Sequence, residues 1–155
     1  MLDFLEKDLD EALGELQAAL AAGFEPRDIA FVGPGKTEDE IALAVRTGIY
    51  AIAAESAHEL ALIESVCRRL SVSVDVLLRI NTLEKPSSPE MMVGGPSKFG
   101  LDEEAAVDEV RGVKLERARL VGIHVYSASQ VLDPGFISKH MEYVTDLALS
   151  LSGRL

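Results

Sequence analysis

The chain has 155 residues, 48% hydrophobic, 5% aromatic and 26% charged. That is enough for one domain with a sizeable core, but short of a complete (β/α)₈ barrel, which needs roughly 200 residues or more. Lys and Arg number 15 against 26 Asp and Glu, for a net charge of −11. A field of that sign repels phosphate backbones and anionic lipid, and so excludes nucleic-acid and membrane-surface binding as expected functions. The single cysteine, Cys67, rules out an intrachain disulfide framework and a cysteine-based zinc site. With no run of membrane-spanning length and no signal-peptide pattern at Met1, this predicts a reducing, cytoplasmic setting.

Short β-branched runs alternate with amphipathic stretches. Leu2, Leu5, Leu9, Leu13, Leu16 and Leu20 recur at three- and four-residue steps and predict a helix over Met1–Ala22, stopped by Gly23 and Pro26. Ile29–Val32 is a short strand. Thr37 and Glu40 form a capping box for a helix running to about Thr47, with Gly48 as its stop. Ile49–Ala54 is a second strand, and Ser56 with Glu59 is a second capping box, for a helix to about Leu70. Val74–Ile80 is a near-continuous apolar strand of the kind covered on both faces. Asn81–Gly100, rich in Pro and Gly, has no periodicity, and loops of that length are usually functional or disordered. Leu101–Gly112 is predicted as a short acidic helix and Ala118–Val125 as a fourth strand. Asp133 and Pro134 serve as N-cap and first residue of a last helix through about Leu151. Such alternation implies a parallel sheet with right-handed crossovers.

In parallel α/β folds ligands bind at the carboxyl ends of strands. Gly33–Lys36, Glu55–Ser56, Arg79–Asn81 and Tyr126–Gln130 occupy such ends and should share one face. Gly33-Pro-Gly-Lys-Thr37 invites a P-loop reading, but Ala30 stands where that motif needs its first Gly, so a tight turn into a capped helix is preferred. His58, His124 and His140 have no metal-ligand spacing. His58 and His140 are expected to be solvated. His124 ends a strand at the candidate face, where a catalytic role and a hydrogen-bonded core histidine are both open. Cys67 lies among apolar helix neighbours as a buried inert thiol, and the acidic clusters are expected to be solvated helix faces.

Together these strand ends resemble the fold-type III PLP-dependent decarboxylases, the diaminopimelate/ornithine decarboxylase superfamily with an alanine-racemase-like barrel. The segments in question are Phe31-Val-Gly-Pro-Gly-Lys36, Ala54-Glu-Ser56 with Glu59-Leu60, Leu78-Arg-Ile-Asn81, Ser97-Lys-Phe-Gly100 and Gly122-Ile-His-Val-Tyr-Ser-Ala-Ser-Gln130. The likeness runs from about Gly14 to Leu151, the middle of that barrel. Met92-Val-Gly-Gly-Pro-Ser97 is most similar to the siderophore and natural-product branch. The resemblance implies that Ser129 contacts a PLP phosphate and that Tyr126 stands where the family has a ring-stacking His. It places Arg79 and Lys98 near the site mouth. On the residues alone, Ser129 is a helix-entry hydroxyl, Arg79 a buried ion-pair partner and Lys98 a loop charge. No segment resembles the family's Tyr-Ala-Val-Lys, whose Lys forms the Schiff base. The glycine-rich phosphate loop and the C-terminal β domain also have no counterpart, and Ala128 replaces the usual Gly.

The expected fold is therefore a partial TIM-type barrel: about four parallel strands with outer helices, two unpaired edges and one uncovered apolar face, in a single domain over 1–155. The expected remedy is a homodimer or a complementary barrel partner. The expected function is a PLP-independent role in small-molecule, natural-product biosynthesis, with Tyr126 and His124 as acid/base groups, Arg79 as a carboxylate clamp and Ser129 as a donor. No cofactor is expected for the chain alone. The alternatives are a PLP-dependent amino-acid decarboxylase completed by a partner chain, with Ser129 and Lys98 as cofactor contacts, and a non-catalytic half-barrel or regulatory fragment.

Overall fold

The computed structural model describes residues 14–83, 99–126 and 131–154. The predicted first helix is seen over 14–21 (α1), and its earlier part lies outside the described residues. A short 3₁₀ turn, Pro26–Asp28, leads into strand β1, Ala30–Phe31. Helix α2 spans Glu38–Thr47, β2 Ala51–Ala54, α3 Ala57–Leu70 and β3 Val74–Asn81. After the undescribed stretch come β4, Leu101–Asp102, α4, Ala106–Val110, β5, Ala118–His124, and α5, Pro134–Ser152.

All described strand pairs are parallel: β1 with β2, β2 with β3, and β3 with both β4 and β5. Alternation along β3 sorts the two faces. Val74, Val76, Leu78 and Ile80 are buried in one core with Ile41 of α2, Leu60 and Ile63 of α3, and Leu147 and Leu151 of α5. Asp75, Leu77, Arg79 and Asn81 point the other way and are half-buried.

Four expectations need correction. Leu101–Gly112 is not one helix: Leu101 and Asp102 extend the sheet beside Ile80 and Asn81, and only Ala106–Val110 is helical, so the strands number five among the described residues. The apolar period of Ala106, Val107 and Val110 is real, but Leu101 is drawn into the core by pairing. The face opposite the helices is not an uncovered apolar one. Its described residues include the small Ala51 and Ala53, both fully buried, and an Asp75–Arg119 ion pair at 2.7 Å. His140 is buried rather than solvated, with its ring stacked on Phe136 at 5.6 Å. The acidic cluster is also partly structural, because Asp102 accepts from Asn81 Nδ2 and Glu103 accepts from Leu83 N–H and Tyr143 O–H.

Local signals account for most helix starts. Thr37 and Glu40 form the full reciprocal box, and α2 ends on Gly48 at φ 77°. Asp133 caps α5 by accepting from Gly135 N–H, with Pro134 as first residue. Cys67 is buried, and burial together with neighbouring Glu64 pushes its thiol up to about 11, which fits the inert role. Thr37→Ala removes the cap on Glu40 N–H and the hydroxyl bond to the Glu40 carboxylate, leaving only the backbone N–H of residue 37 on it. It should lower unfolding free energy by about 1–2 kcal/mol in urea titrations, with the slope unchanged.

Candidate active site

Four strand ends converge on the face that the helices leave free. Lys36 follows β1, Glu55 follows β2 directly, and Arg79 lies in β3 beside His124 of β5. Lys36, although charged, is 6% exposed. Its Nζ donates to Gly33 O at 2.5 Å, Ala53 O at 2.6 Å and Glu59 Oε2 at 3.2 Å, which uses all three ammonium protons. Burial holds its pKa below the ordinary lysine range, against the pull of Glu59. The Phe31 ring lies 5.5 Å from Nζ.

Glu59 explains why the second capping box is only half formed. Ser56 accepts from Glu59 N–H at 3.1 Å, but the Glu59 carboxylate turns to Lys36 and to the Glu55 N–H at 2.7 Å. It also accepts the Lys36 N–H at 3.3 Å. The S-x-x-E spacing gives the helix start correctly and conceals the longer-range use of its Glu.

Arg79 Nη1 donates to Glu55 Oε1 at 2.6 Å, and the two side chains are largely buried. The Phe99 ring lies 5.4 Å from the guanidinium carbon. Gly100 has φ 75°, and a Cβ there would stand 2.9 Å from Arg79 O, so only glycine lets this turn rest on β3. The described half of the Ser97–Gly100 motif thus seats Arg79. The ion-pair reading of Arg79 is what the structure shows.

His124 reaches this face because β5 contains a bulge. Val76 pairs with Leu120 but Leu77 pairs with Gly122, so Val121 is the extra residue and His124 falls opposite Arg79. Without the bulge, His124 would oppose Ile80 and point into the core. Its Nδ1 is buried with no partner among the described residues, as is Glu55 Oε2. Burial first, then Arg79, lowers the His124 pKa, so the ring is neutral at pH 7. Tyr126, two residues on, is 55% exposed. The structure therefore brings Arg79 and His124 together, with Tyr126 at the open end of the same strand. Ser129 and Lys98 lie outside the described residues. Sequence reasoning missed Glu55 and Glu59 as organising groups, although both stand inside the quoted motifs.

The cavity beside Lys36 is about 350 Å³ and is lined by Pro34, Gly35, Glu55, Ser56, His58 and Glu59 among others. No group of three or more His, Cys, Asp or Glu among the described residues is arranged to hold a metal. For PLP, which the resemblance implies, the described residues offer a partial fit. Tyr126 has an open ring, and Glu55 and His124 have unsatisfied polar atoms. Lys36 does not fit a Schiff base, because its amine is charged and fully engaged.

Two predictions follow from this geometry. Lys36→Met leaves Glu59 without its buried countercharge and should cost about 3–5 kcal/mol of stability; Lys36→Met with Glu59→Leu should cost less than the two single changes summed. For His124, the unfolded chain takes a proton near the ordinary 6.5 that the folded chain refuses. Its contribution is complete above 6.5 and is lost as pH falls through the lower folded value, so His124→Gln should flatten the stability profile below about pH 6.5 in urea unfolding.

Comparison with known proteins places this arrangement. Residues 9–152 match the sequence model of the pyridoxal-dependent decarboxylases, pyridoxal-binding domain. The L-glutamyl-[BtrI acyl-carrier protein] decarboxylase of Niallia circulans is 39% identical over 145 residues, covering 91% of this chain and 33% of that one. The diaminopimelate decarboxylase of Bacillus subtilis is 35% identical over 132 residues, covering 80% and 30%. The crystal structure of diaminopimelate decarboxylase from M. jannaschii in complex with L-lysine superposes with a TM-score of 0.79 at 30% identity, covering 90% of this chain and 33% of that one. The chain thus spans about a third of the length of these relatives, which agrees with a partial barrel of parallel strands and outer helices. Parallel strands, strand-end polar residues and the matched stretch agree, and the chain belongs to the pyridoxal-dependent decarboxylases as part of their pyridoxal-binding barrel domain.

Proposed function

We propose that this chain furnishes one wall of a decarboxylase-type site for an amino-acid-derived substrate in small-molecule biosynthesis, and that the Schiff-base amine comes from outside the described residues. The observation behind this reading is the contrast between two cations on one face. Lys36 is consumed by three acceptors, whereas Arg79 engages Glu55 through Nη1 and lies beside the unsatisfied Nδ1 of His124. The likeness to a decarboxylase acting on an L-glutamyl carrier-protein substrate supports the biosynthetic setting.

Each group then has a defined task. Arg79, pinned by Glu55 and Phe99, holds positive charge at the strand ends, where a substrate carboxylate binds. His124, neutral at pH 7, accepts or relays a proton at its free ring nitrogen. Tyr126 presents an exposed ring for stacking. PLP, when bound, supplies the electron sink that decarboxylation of an amino acid needs.

A second reading is a PLP-independent use of the same pocket, favoured by the locked Lys36 and by Tyr126 standing where the family has a His. Titration with pyridoxamine phosphate, which needs no lysine, separates the two. The site-wall proposal expects binding that weakens at least about tenfold in Tyr126→Ala and in Arg79→Ala. It also expects that PLP followed by borohydride leaves Lys36 unlabelled. Absence of binding would support the PLP-independent role, and a reduced adduct on Lys36 would overturn both.

A further inference from the structure

At the opposite end of the sheet from Arg79 lies a second cavity, of about 450 Å³, between α3 and the segment joining α4 to β5. Glu64, Ser65 and Arg68 line it from α3, and Gly112, Val113 and Lys114 from the segment. Glu64 is 4% exposed, and its Oε2 accepts the N–H groups of Arg117 at 3.0 Å and Ala118 at 2.9 Å. Burial alone would raise the Glu64 pKa, but the N–H groups of Ala118, Arg117 and Glu116 outweigh it, so the side chain stays an anion. Its other oxygen, Oε1, is buried with no hydrogen-bond partner among the described residues. A buried carboxylate oxygen with no partner is uncommon and calls for one.

The cations around it are at most weakly engaged. Arg68 meets Glu116 only at 3.7 Å between exposed side chains, an interaction worth little in water. Lys114 forms no ion pair among the described residues. A carboxylate with one unpartnered oxygen, one weakly paired and one unpaired cation, a hydroxyl and the apolar Val113 surround a volume within the usual range for small ligands.

We propose that this cavity binds a small zwitterionic amino acid, its ammonium on Glu64 Oε1 and its carboxylate between Lys114, Arg68 and the Ser65 hydroxyl. The site is separate from the strand-end face and does not depend on the function proposed for it. The amine satisfies the orphan oxygen with a charged donor, and the carboxylate meets the two cations that line the same cavity.

Amide chemical shifts of the ¹⁵N-labelled chain, titrated with L-alanine, acetate or methylammonium, test this. Saturable shifts at Gly112, Val113, Arg117 and Ala118 are expected with L-alanine, and neither half-molecule should saturate them at the same concentration. Lys114→Ala changes an exposed side chain and should weaken L-alanine at least about tenfold, as should Glu64→Gln if it folds. Shifts that never saturate, meaning that the cavity holds water only, overturn the proposal. So does an equal response to acetate, or unchanged binding in Lys114→Ala.

Discussion

The buried pair of Lys36 and Glu59 is the contact on which the candidate site depends. Two opposite charges withdrawn from water are costly to bury, and the attraction between them offsets that cost only when their remaining donors and acceptors are also satisfied. Here they are satisfied by backbone: Lys36 reaches Gly33 O and Ala53 O, and Glu59 collects the N–H groups of Lys36 and Glu55. The turn after β1, the end of β2 and the first turn of α3 are thereby tied to one pair of side chains. Because Glu55 is fixed at its backbone by Glu59, its carboxylate is placed to receive Arg79. A cation that would be a candidate nucleophile by position is instead the post to which three loops are fastened.

The second constraint is a parity change in β5. Parallel partners point to the same side of a sheet, so a strand in perfect register with β3 would send Ala118, Leu120 and Gly122 to the helices and turn His124 inward with Ile80. The extra residue at Val121 reverses the alternation, leaving Ile123 opposite Leu78 and His124 opposite Arg79. Gly122 takes the place beside Leu77, where a Cβ would stand 3.3 Å from Leu77 Cδ2. The bulge therefore exposes Val121 and in return brings a neutral imidazole to the candidate face.

How much of this was legible in the sequence follows from the range of each interaction. Local signals were reliable: the Thr37 box and the Asp133-Pro134 start depend on neighbours a few residues away, and they appear where expected, whereas β3, read as covered on both faces, alternates between buried and half-buried residues. The acidic stretch after Gly100 misled because Leu101 and Asp102 are recruited by Ile80 and Asn81, about twenty residues earlier. His140 has no strong local pattern to mark its burial, which comes from packing of α5 on the rest of the core. Glu59 shows the limit most clearly. Its spacing from Ser56 fits a capping box, yet its carboxylate acts across a separation of 23 residues. The β5 bulge is likewise a property of the pairing of two strands, and Val121-Gly122 alone does not announce it.

These two constraints together separate support from chemistry on the strand-end face. Lys36 and Glu59, which tie β1 to β2, are buried and engaged by several partners, so they hold shape. Unsatisfied atoms lie on the side turned to β3 and β5: the second oxygen of Glu55, which follows β2 and pairs with Arg79, Nδ1 of His124, and the open ring of Tyr126. A rigid wall with reactive atoms on one side only is what precise positioning requires, because a group held by its own neighbours does not reorganise when a substrate arrives. The family likeness is consistent with this division, since the Arg79 and His124 motifs are among those that carried it in the sequence, while the lysine at hand is committed to the scaffold.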